Sequence, residues 1–208
     1  MTTGAGATPM QAAYRRLATV VPAMFGAVLL AGCVNFGAEP PDRLLTLTSA
    51  APAPAGSATD GDVATALAVL EPTAAQRLTV TRIPVLVDDS SVAYLQDAVW
   101  VERPARLFQR LLAETIRARG NRLVLTDEDL QYSAQTRLSG QLLELGYDAA
   151  QSSVVARFDA VLQQPDGRVL TRRFESIVPG IAPEAAAVGP ALNQAANQVA
   201  TEVADWVR

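Results

Sequence analysis

The sequence predicts an α+β fold: an antiparallel-rich sheet with two helices packed on one face, forming a single domain behind a cleaved signal peptide. Two patterns predict this fold. Three long segments in the second half of the chain alternate apolar and polar residues, as strands with one solvent-exposed face do. Two other segments repeat apolar residues every three or four positions, which is typical of helices that lie on a core.

Residues 1–32 are typical of a lipoprotein signal peptide. Two arginines stand at positions 15 and 16, an apolar run of 14 residues covers 17–30, and two small residues lead to Cys33, the only cysteine. The run is shorter than the roughly 20 residues that a bilayer-spanning helix needs, and no Asp or Glu precedes Cys33. We therefore expect cleavage between Gly32 and Cys33 and a lipid on the Cys33 thiol.

The same segment allows other interpretations. A lone cysteine is often a small buried hydrophobe, but that does not explain the charged start and the apolar middle. A secreted soluble protein would favour an Ala-x-Ala cleavage site, and the arginine pair could direct twin-arginine export. Translation could start at Met1 or at Met10. Val34 stands where an aspartate retains lipoproteins in the inner membrane of enteric bacteria, so we expect the periplasmic face of the outer membrane.

Charge and composition narrow the function of the remaining chain. Residues 33–42 are predicted to be a lipidated tether and 43–208 the folded domain, with a mobile loop over 49–62. The net charge is −4, and the only charged residues that cleavage removes are two arginines, so we expect no nucleic-acid binding. The chain has no histidine, the commonest general base and metal ligand. We predict no catalytic residues, no metal, no cofactor and no enzymatic activity.

The predicted strands follow the tether in order. They cover residues 43–48, 63–70, 78–87, 92–95, 123–125, 136–147, 153–163 and 169–178. Residues 63–70 could instead form a helical turn. Turns are predicted at 88–91 and 127–129, and the sequence Gln-Pro-Asp-Gly at 164–167 is a strong tight-turn signal.

The predicted strand over residues 78–87 changes phase. Leu78 and Val80 share one face, whereas Ile83 and the alternate residues after it belong to the other. Pro84 cannot donate a ladder hydrogen bond. A bulge or an edge position near Pro84 would reconcile the two phases.

Two helices complete the prediction. The first begins at Pro104, which suits the first turn of a helix, and stops at Gly120. The second begins at Pro183 or, by preference, at Pro190. The residues predicted to face the core are Leu107, Phe108, Leu111, Leu112, Thr115 and Ile116 in the first helix, and Val188, Leu192, Ala195, Ala196, Val199, Val203 and Trp206 in the second.

Few side chains suggest a site. Trp100 lies just before the first helix, and is either a core aromatic or a contact for a partner protein. The acidic turn at 127–129 lacks the ligand spacing of a calcium loop, so a solvated turn is expected. Arg172 and Arg173 would point to opposite faces of a strand, one exposed and one paired with an acid.

The order of these features resembles the ABC-type transport auxiliary lipoprotein family, which includes the PqiC-like lipoproteins. The resemblance rests on the lipobox at residues 30–33, the strand near 43–47, the segment 78–84, the segment leading to Trp100, the helix at 107–119, the paired strands around 164–167 and the Ala-rich last helix. Each motif is weak alone, and their order and spacing carry the likeness.

The resemblance implies a docking role. Such lipoproteins accompany ABC transporters with mammalian-cell-entry (MCE) domain proteins, which move lipids between the inner and outer membranes. The implied partners are a periplasmic MCE-domain protein with its permease and ATPase, and the membrane through the lipid on Cys33. The resemblance does not decide whether the protein forms a homo-oligomer. The alternative is a structural outer-membrane lipoprotein that assists assembly of another envelope complex.

The first testable prediction concerns the anchor. Cys33→Ser should abolish incorporation of labelled fatty acid, because no other thiol is available. The same substitution in a chain produced without residues 1–32 should leave the circular dichroism spectrum and melting temperature of the domain unchanged. Failure of that domain to fold would contradict the separation of anchor and fold.

Overall fold

The computed structural model describes residues 1–2, 44–120, 122–126 and 134–208. The chain divides into two compact units, Met1–Glu39 and Pro40–Arg208, and the described helices and strands lie in the second unit. They are β1 (Leu44–Leu45), β2 (Leu67–Val69), β3 (Thr73–Ala74), a 3₁₀ turn (Gln76–Leu78), β4 (Arg82–Leu86), β5 (Val92–Trp100), α1 (Pro104–Ala118), β6 (Val124–Thr126), β7 (Thr136–Asp148), β8 (Ser153–Gln163), β9 (Val169–Pro179) and α2 (Ala185–Trp206).

Strand β7 is the centre of the sheet. One of its edges pairs antiparallel with β8 over almost its whole length, and β8 pairs antiparallel with β9. Its other edge pairs in parallel with three short strands in succession, β2, β3 and β4. Strand β6 then extends the sheet beyond β2, while β5 and β1 extend it beyond β4.

The sheet therefore differs in part from the sequence prediction. The α+β class with two helices is confirmed, and the longest pairings are antiparallel as expected. The sheet is nevertheless mixed, because its short strands join it in parallel. Segments of two or three residues carry no periodicity from which their direction could be inferred.

The predicted irregularity near Pro84 is a bulge. Arg82 pairs with Val99, but Pro84 pairs with Tyr94, so four residues of β5 lie opposite Ile83 alone. Asp97, within that excess, has a φ of 54°. Strand β4 lies between β5 and β7, and the alternative of an edge position is therefore wrong.

Both helices cover the same face of the sheet. Phe158 on β8 and Phe174 on β9 are paired and share that face. The ring of Phe108 on α1 meets Phe158 edge-on at 5.2 Å between centroids. Trp206 on α2 meets Phe174 in the same manner at 5.6 Å. All predicted core residues of both helices are buried, except that Trp206 is half-buried.

Helix α2 begins earlier than Pro190, the start that the sequence analysis preferred. It starts at Ala185, so Pro190 lies inside the helix rather than at its first turn. Proline inside a helix removes one hydrogen bond, but Pro190 is exposed, and its place on the solvent side leaves the packed side intact. Gly189 on the packed side approaches β1 so closely that a Cβ there would lie 2.9 Å from Leu45 Cδ2.

Two other strand predictions were wrong in detail. Leu78 is buried but belongs to a 3₁₀ turn, and Val80 is 41% exposed, so the two do not share a strand face. The alternation of the last predicted strand places Leu170 on the core face with Phe174, but Leu170 is 37% exposed. Residues 46–66, which include the predicted mobile loop, form no helix or strand.

Gly140 allows β7 and β8 to approach closely. Its φ is 152°, and a Cβ there would lie 2.1 Å from the carbonyl oxygen of Asp159 and 2.8 Å from the Phe158 ring. Backbone atoms of β8 cannot move away without breaking the ladder. A side chain is therefore excluded here by both the dihedral angle and the contact.

The second prediction follows from that contact. Gly140→Ala should lower the free energy of unfolding by roughly 3–5 kcal/mol, measured by urea denaturation. Gly167→Ala is the matched control, because its φ is 84° but nothing lies within 4 Å of the added Cβ. The control should lower the free energy of unfolding by only about 1–3 kcal/mol, which is the strain of the backbone conformation alone. Equal losses at both positions would contradict the close approach.

Candidate functional site

The residues predicted to carry the lipid lie outside the described part of the chain. Gly32, Cys33 and the tether precede Leu44, where the description of the domain begins. The acidic turn at 127–129 also lies outside it. Lipidation and cleavage at Cys33 therefore stay predictions.

Trp100 belongs to the core. Its side chain is 1% exposed at the end of β5, and its indole Nε1 has no hydrogen-bond partner among the described residues. A partner protein cannot reach a side chain that is covered in this way. Of the two interpretations of Trp100, this burial favours the core aromatic over the partner contact.

The described residues hold no cluster of three or more acidic, His or Cys side chains that could bind a metal ion. Within the same residues, no helix has both the length and the apolar character needed to cross a bilayer. Among the described residues, the features that remain as candidates are a cleft, a surface of ion pairs and the outer edge of β9.

The cleft has a volume of about 820 Å³ and lies between α1 and the segment that follows β1. Its apolar lining includes Leu47, Pro52 and Leu111. Its polar lining includes Arg110, Glu114 and Arg117, which project from successive turns of α1. This combination of an apolar floor and a charged rim suits a protruding polypeptide segment better than a small charged substrate.

Hydrogen bonds from both helices fix the wall of the cleft. The Ala53 N–H donates to Glu114 Oε1 at 2.8 Å. The N–H groups of Thr48 and Ala50 donate to the side-chain oxygens of Asn193 and Asn197, at 2.8 and 2.7 Å. The start of the predicted mobile loop is thus bonded to α1 and α2.

A fourth hydrogen bond holds the base of the cleft to the sheet. The buried Gln109 side chain donates from Nε2 to the Val69 carbonyl at 2.9 Å. No sequence pattern signals these contacts, because Asn193, Asn197 and Gln109 are ordinary polar residues of amphipathic helices. Their partners lie at least 40 residues away along the chain.

The face of the sheet opposite the helices carries ion pairs. Arg157 on β8 donates to Glu144 on β7 at 2.6 Å and is also bonded to Glu175 on β9. Arg173 on β9 binds Asp159 on β8 through two hydrogen bonds of 2.6 and 2.7 Å. We call these five residues the outer ladder.

The outer ladder alters titration at one carboxyl. The hydrogen bonds from Arg173 hold the pKa of Asp159 below its usual value, and the same contact raises the pKa of the Arg173 guanidinium. Arg172 lies on the opposite face, over the ring of Phe174 at 4.9 Å. The prediction of one exposed and one acid-paired arginine at 172–173 is confirmed.

The amino-acid sequence matches a known family over most of this domain. A model of the family described as the ABC-type transport auxiliary lipoprotein component matches residues 45–204. The chain belongs to the ABC-type transport auxiliary lipoprotein family. The resemblance stated from the sequence is confirmed. Membership makes the protein an auxiliary component of ABC-type transport and supports a membrane-anchored place in the cell envelope.

Solved structures share the fold of this family member. A protein from Xanthomonas campestris assigned to the family DUF330 superposes with a TM-score of 0.65 at 20% identity, covering 79% of this chain and 94% of its own. An uncharacterized protein superposes with a TM-score of 0.60 at 12% identity, covering 80% of this chain and 100% of its own. The sequence has no match among curated proteins.

A more distant likeness exists to the PelC dodecamer from Paraburkholderia phytofirmans. The TM-score is 0.40 at 16% identity, over 71% of this chain and 92% of that one. At these identities the first two structures establish a shared fold only.

The third prediction tests the outer ladder. Arg173→Ala should raise the pKa of Asp159 toward the usual value of about 3.9, followed by NMR titration of the side-chain carboxyl. Because the folded pKa is the lower one, the pair stabilises the fold above the ordinary Asp pKa, and that contribution is lost as pH falls through the folded pKa.

Arg172→Ala is the control, since Arg172 lies on the other face and makes no bond to Asp159. It should leave the Asp159 titration unchanged. An Asp159 pKa that is unaffected by Arg173→Ala would show that the pair does not form.

Proposed function

We propose that this protein is anchored by a lipid on Cys33 to the periplasmic face of the outer membrane, and that it docks the periplasmic MCE-domain component of a lipid-moving ABC transporter. The observation that carries the proposal is the family match over residues 45–204. The match begins a short distance along the chain after Cys33. A cysteine in that sequence context and at that distance is where an auxiliary lipoprotein needs its anchor.

The length of the tether keeps the domain near the bilayer. The ten residues between Cys33 and Leu44 extend to at most about 35 Å. Leu44 is itself 55% exposed, and its strand neighbour Val99 leads to Val101, which is 53% exposed. Apolar side chains where the chain enters the domain are compatible with a membrane-facing end.

Docking rather than chemistry is supported by the groups that line the cleft. Glu114 and Gln109 are already engaged with backbone groups, and Arg110 is paired with Glu102. Side chains held in this way shape a surface, whereas a general acid or base needs freedom to reach a substrate proton. We propose that the cleft is the surface that receives the MCE-domain protein.

The fourth prediction places a photocrosslinking amino acid at Arg110 on the cleft rim. Irradiation of intact cells should join this position to an MCE-domain protein. Ser90, in the exposed turn between β4 and β5, is the matched control position and should give at least tenfold less of the same product.

The outcomes separate the hypotheses. Capture of a different envelope protein at Arg110, with normal lipid traffic in a deletion strain, would support the alternative of a structural lipoprotein and overturn the MCE role. Equal capture of an MCE-domain protein at Arg110 and Ser90 would support the partner but would show that the cleft is not its binding surface. A gene neighbourhood with a permease, an ATPase and an MCE-domain protein would support the proposal independently.

A further inference from the structure

Strand β9 leaves one long edge of the sheet open. Within the described residues it pairs with β8 alone. Its side chains are exposed over most of its length, including Val169 at 58% and Ile177 at 45%. An open edge of eleven residues presents a row of backbone donors and acceptors that another strand can use.

The hairpin fixes which backbone groups point outward. The Gln164 N–H donates to the Arg168 carbonyl at 2.9 Å and closes the turn before β9. Hydrogen-bonded and non-bonded pairs alternate along an antiparallel ladder. Counting from the closing pair, the even-numbered residues of β9 bond to β8. The odd-numbered residues, from Val169 to Ile177, direct their N–H and carbonyl groups away from it.

We propose that this edge pairs with β9 of a second copy of the chain, antiparallel about a two-fold axis, so that Arg173 lies opposite Glu175 of the partner subunit. The proposal does not depend on the transport role. A two-fold axis perpendicular to the sheet keeps both helix layers on the same side. In this register Phe174 lies at the axis, and the outward-pointing groups of residues 173 and 175 face each other.

Charge complementarity supports this register. Within one chain the outer ladder runs from Glu144 to Arg157 to Glu175. The next position across the proposed interface is Arg173 of the partner subunit, which is bonded to its own Asp159. The ladder would therefore continue with alternating sign from one subunit into the other, and symmetry makes it do so twice.

The side chains beyond the charged centre also match. Thr171 would lie opposite Ile177 of the partner subunit, and Val169 would lie opposite Pro179 of the partner subunit. These pairs bring together apolar groups that are exposed in the single chain, among them Ile177 at 45%. Cross-strand pairs of this kind stabilise antiparallel ladders.

The neighbouring symmetric registers are disfavoured. Moving the axis by one residue toward the N-terminus places Arg173 opposite itself, and moving it by one toward the C-terminus places Glu175 opposite itself. Like charges directly opposite each other destabilise a ladder. Charged edge strands commonly prevent pairing. Here the same charges permit pairing with one partner, a second copy, in one register.

The experiment uses full-length chains carrying two different affinity tags, co-expressed and purified in detergent. Wild-type copies should recover each other. Arg173→Glu alone places Glu opposite Glu175 of the partner subunit, and Glu175→Arg alone places Arg opposite Arg173 of the partner subunit. Each variant should therefore recover its own kind at least tenfold less. Co-expression of the two variants should restore recovery, because every facing pair is then of opposite sign.

Two further variants define the interface. Thr171→Pro removes an outward N–H without disturbing the bonds to β8, and should abolish recovery although no charge changes. Arg168→Glu changes an exposed arginine in the hairpin turn and should leave recovery at the wild-type level. Restoration by mixing also shows that both charge variants are folded.

The remaining outcomes would overturn the proposal. These are wild-type copies that do not recover each other, charge variants that associate like the wild type, and mixed variants that stay apart. Recovery of a different envelope protein through β9 in place of a second copy would overturn it as well.

Discussion

The pairing of β8 with β7 and β9 is the interaction on which the rest of the domain depends. All eleven residues of β8 have partners on both neighbouring strands. The three strands present one continuous apolar face, where Phe158 meets α1 and Phe174 meets α2. Gly140 sets how closely β7 and β8 lie. Without these three paired strands neither helix has a surface to cover, and the cleft beside α1 has no floor.

The opposite face of the same strands has a different chemistry. Arg157, Glu144 and Glu175 bind each other across three strands, and Asp159 binds Arg173 beside them. Exposed ion pairs contribute little to stability, and our proposal gives this face a second role, the selection of a partner strand by charge. The covered face of the sheet therefore supplies stability, and our two proposals assign contacts with other proteins to the cleft and to the outer strands.

How far the sequence predicts this arrangement depends on the length of each pattern. Strand β8 matches its prediction residue for residue and α1 begins at its predicted proline, because each repeats its period several times over. The preferred start of α2 at Pro190 was wrong, because that proline is tolerated on the exposed side of the helix, and the alternative at Pro183 lies two residues before the observed start. The direction of the short strands and the bonds of Asn193 and Asn197 could not be predicted, because each depends on a partner far away in the sequence. The order of the elements was enough to predict the family. The cleft could not be predicted, because it exists only where those elements pack together.

The function proposed for the domain depends on where it is held. In our proposal the domain acts by where it is held, because its polar cleft groups are already engaged, and the lipid on Cys33 would hold it there. Intact mass measurement of the mature protein, isolated from membranes, tests this most directly. We predict a chain that begins at Cys33 and is heavier than its residues by the mass of a diacylglycerol-type modification. A mature chain with an unmodified thiol at Cys33, or one that retains residues before it, would contradict this function.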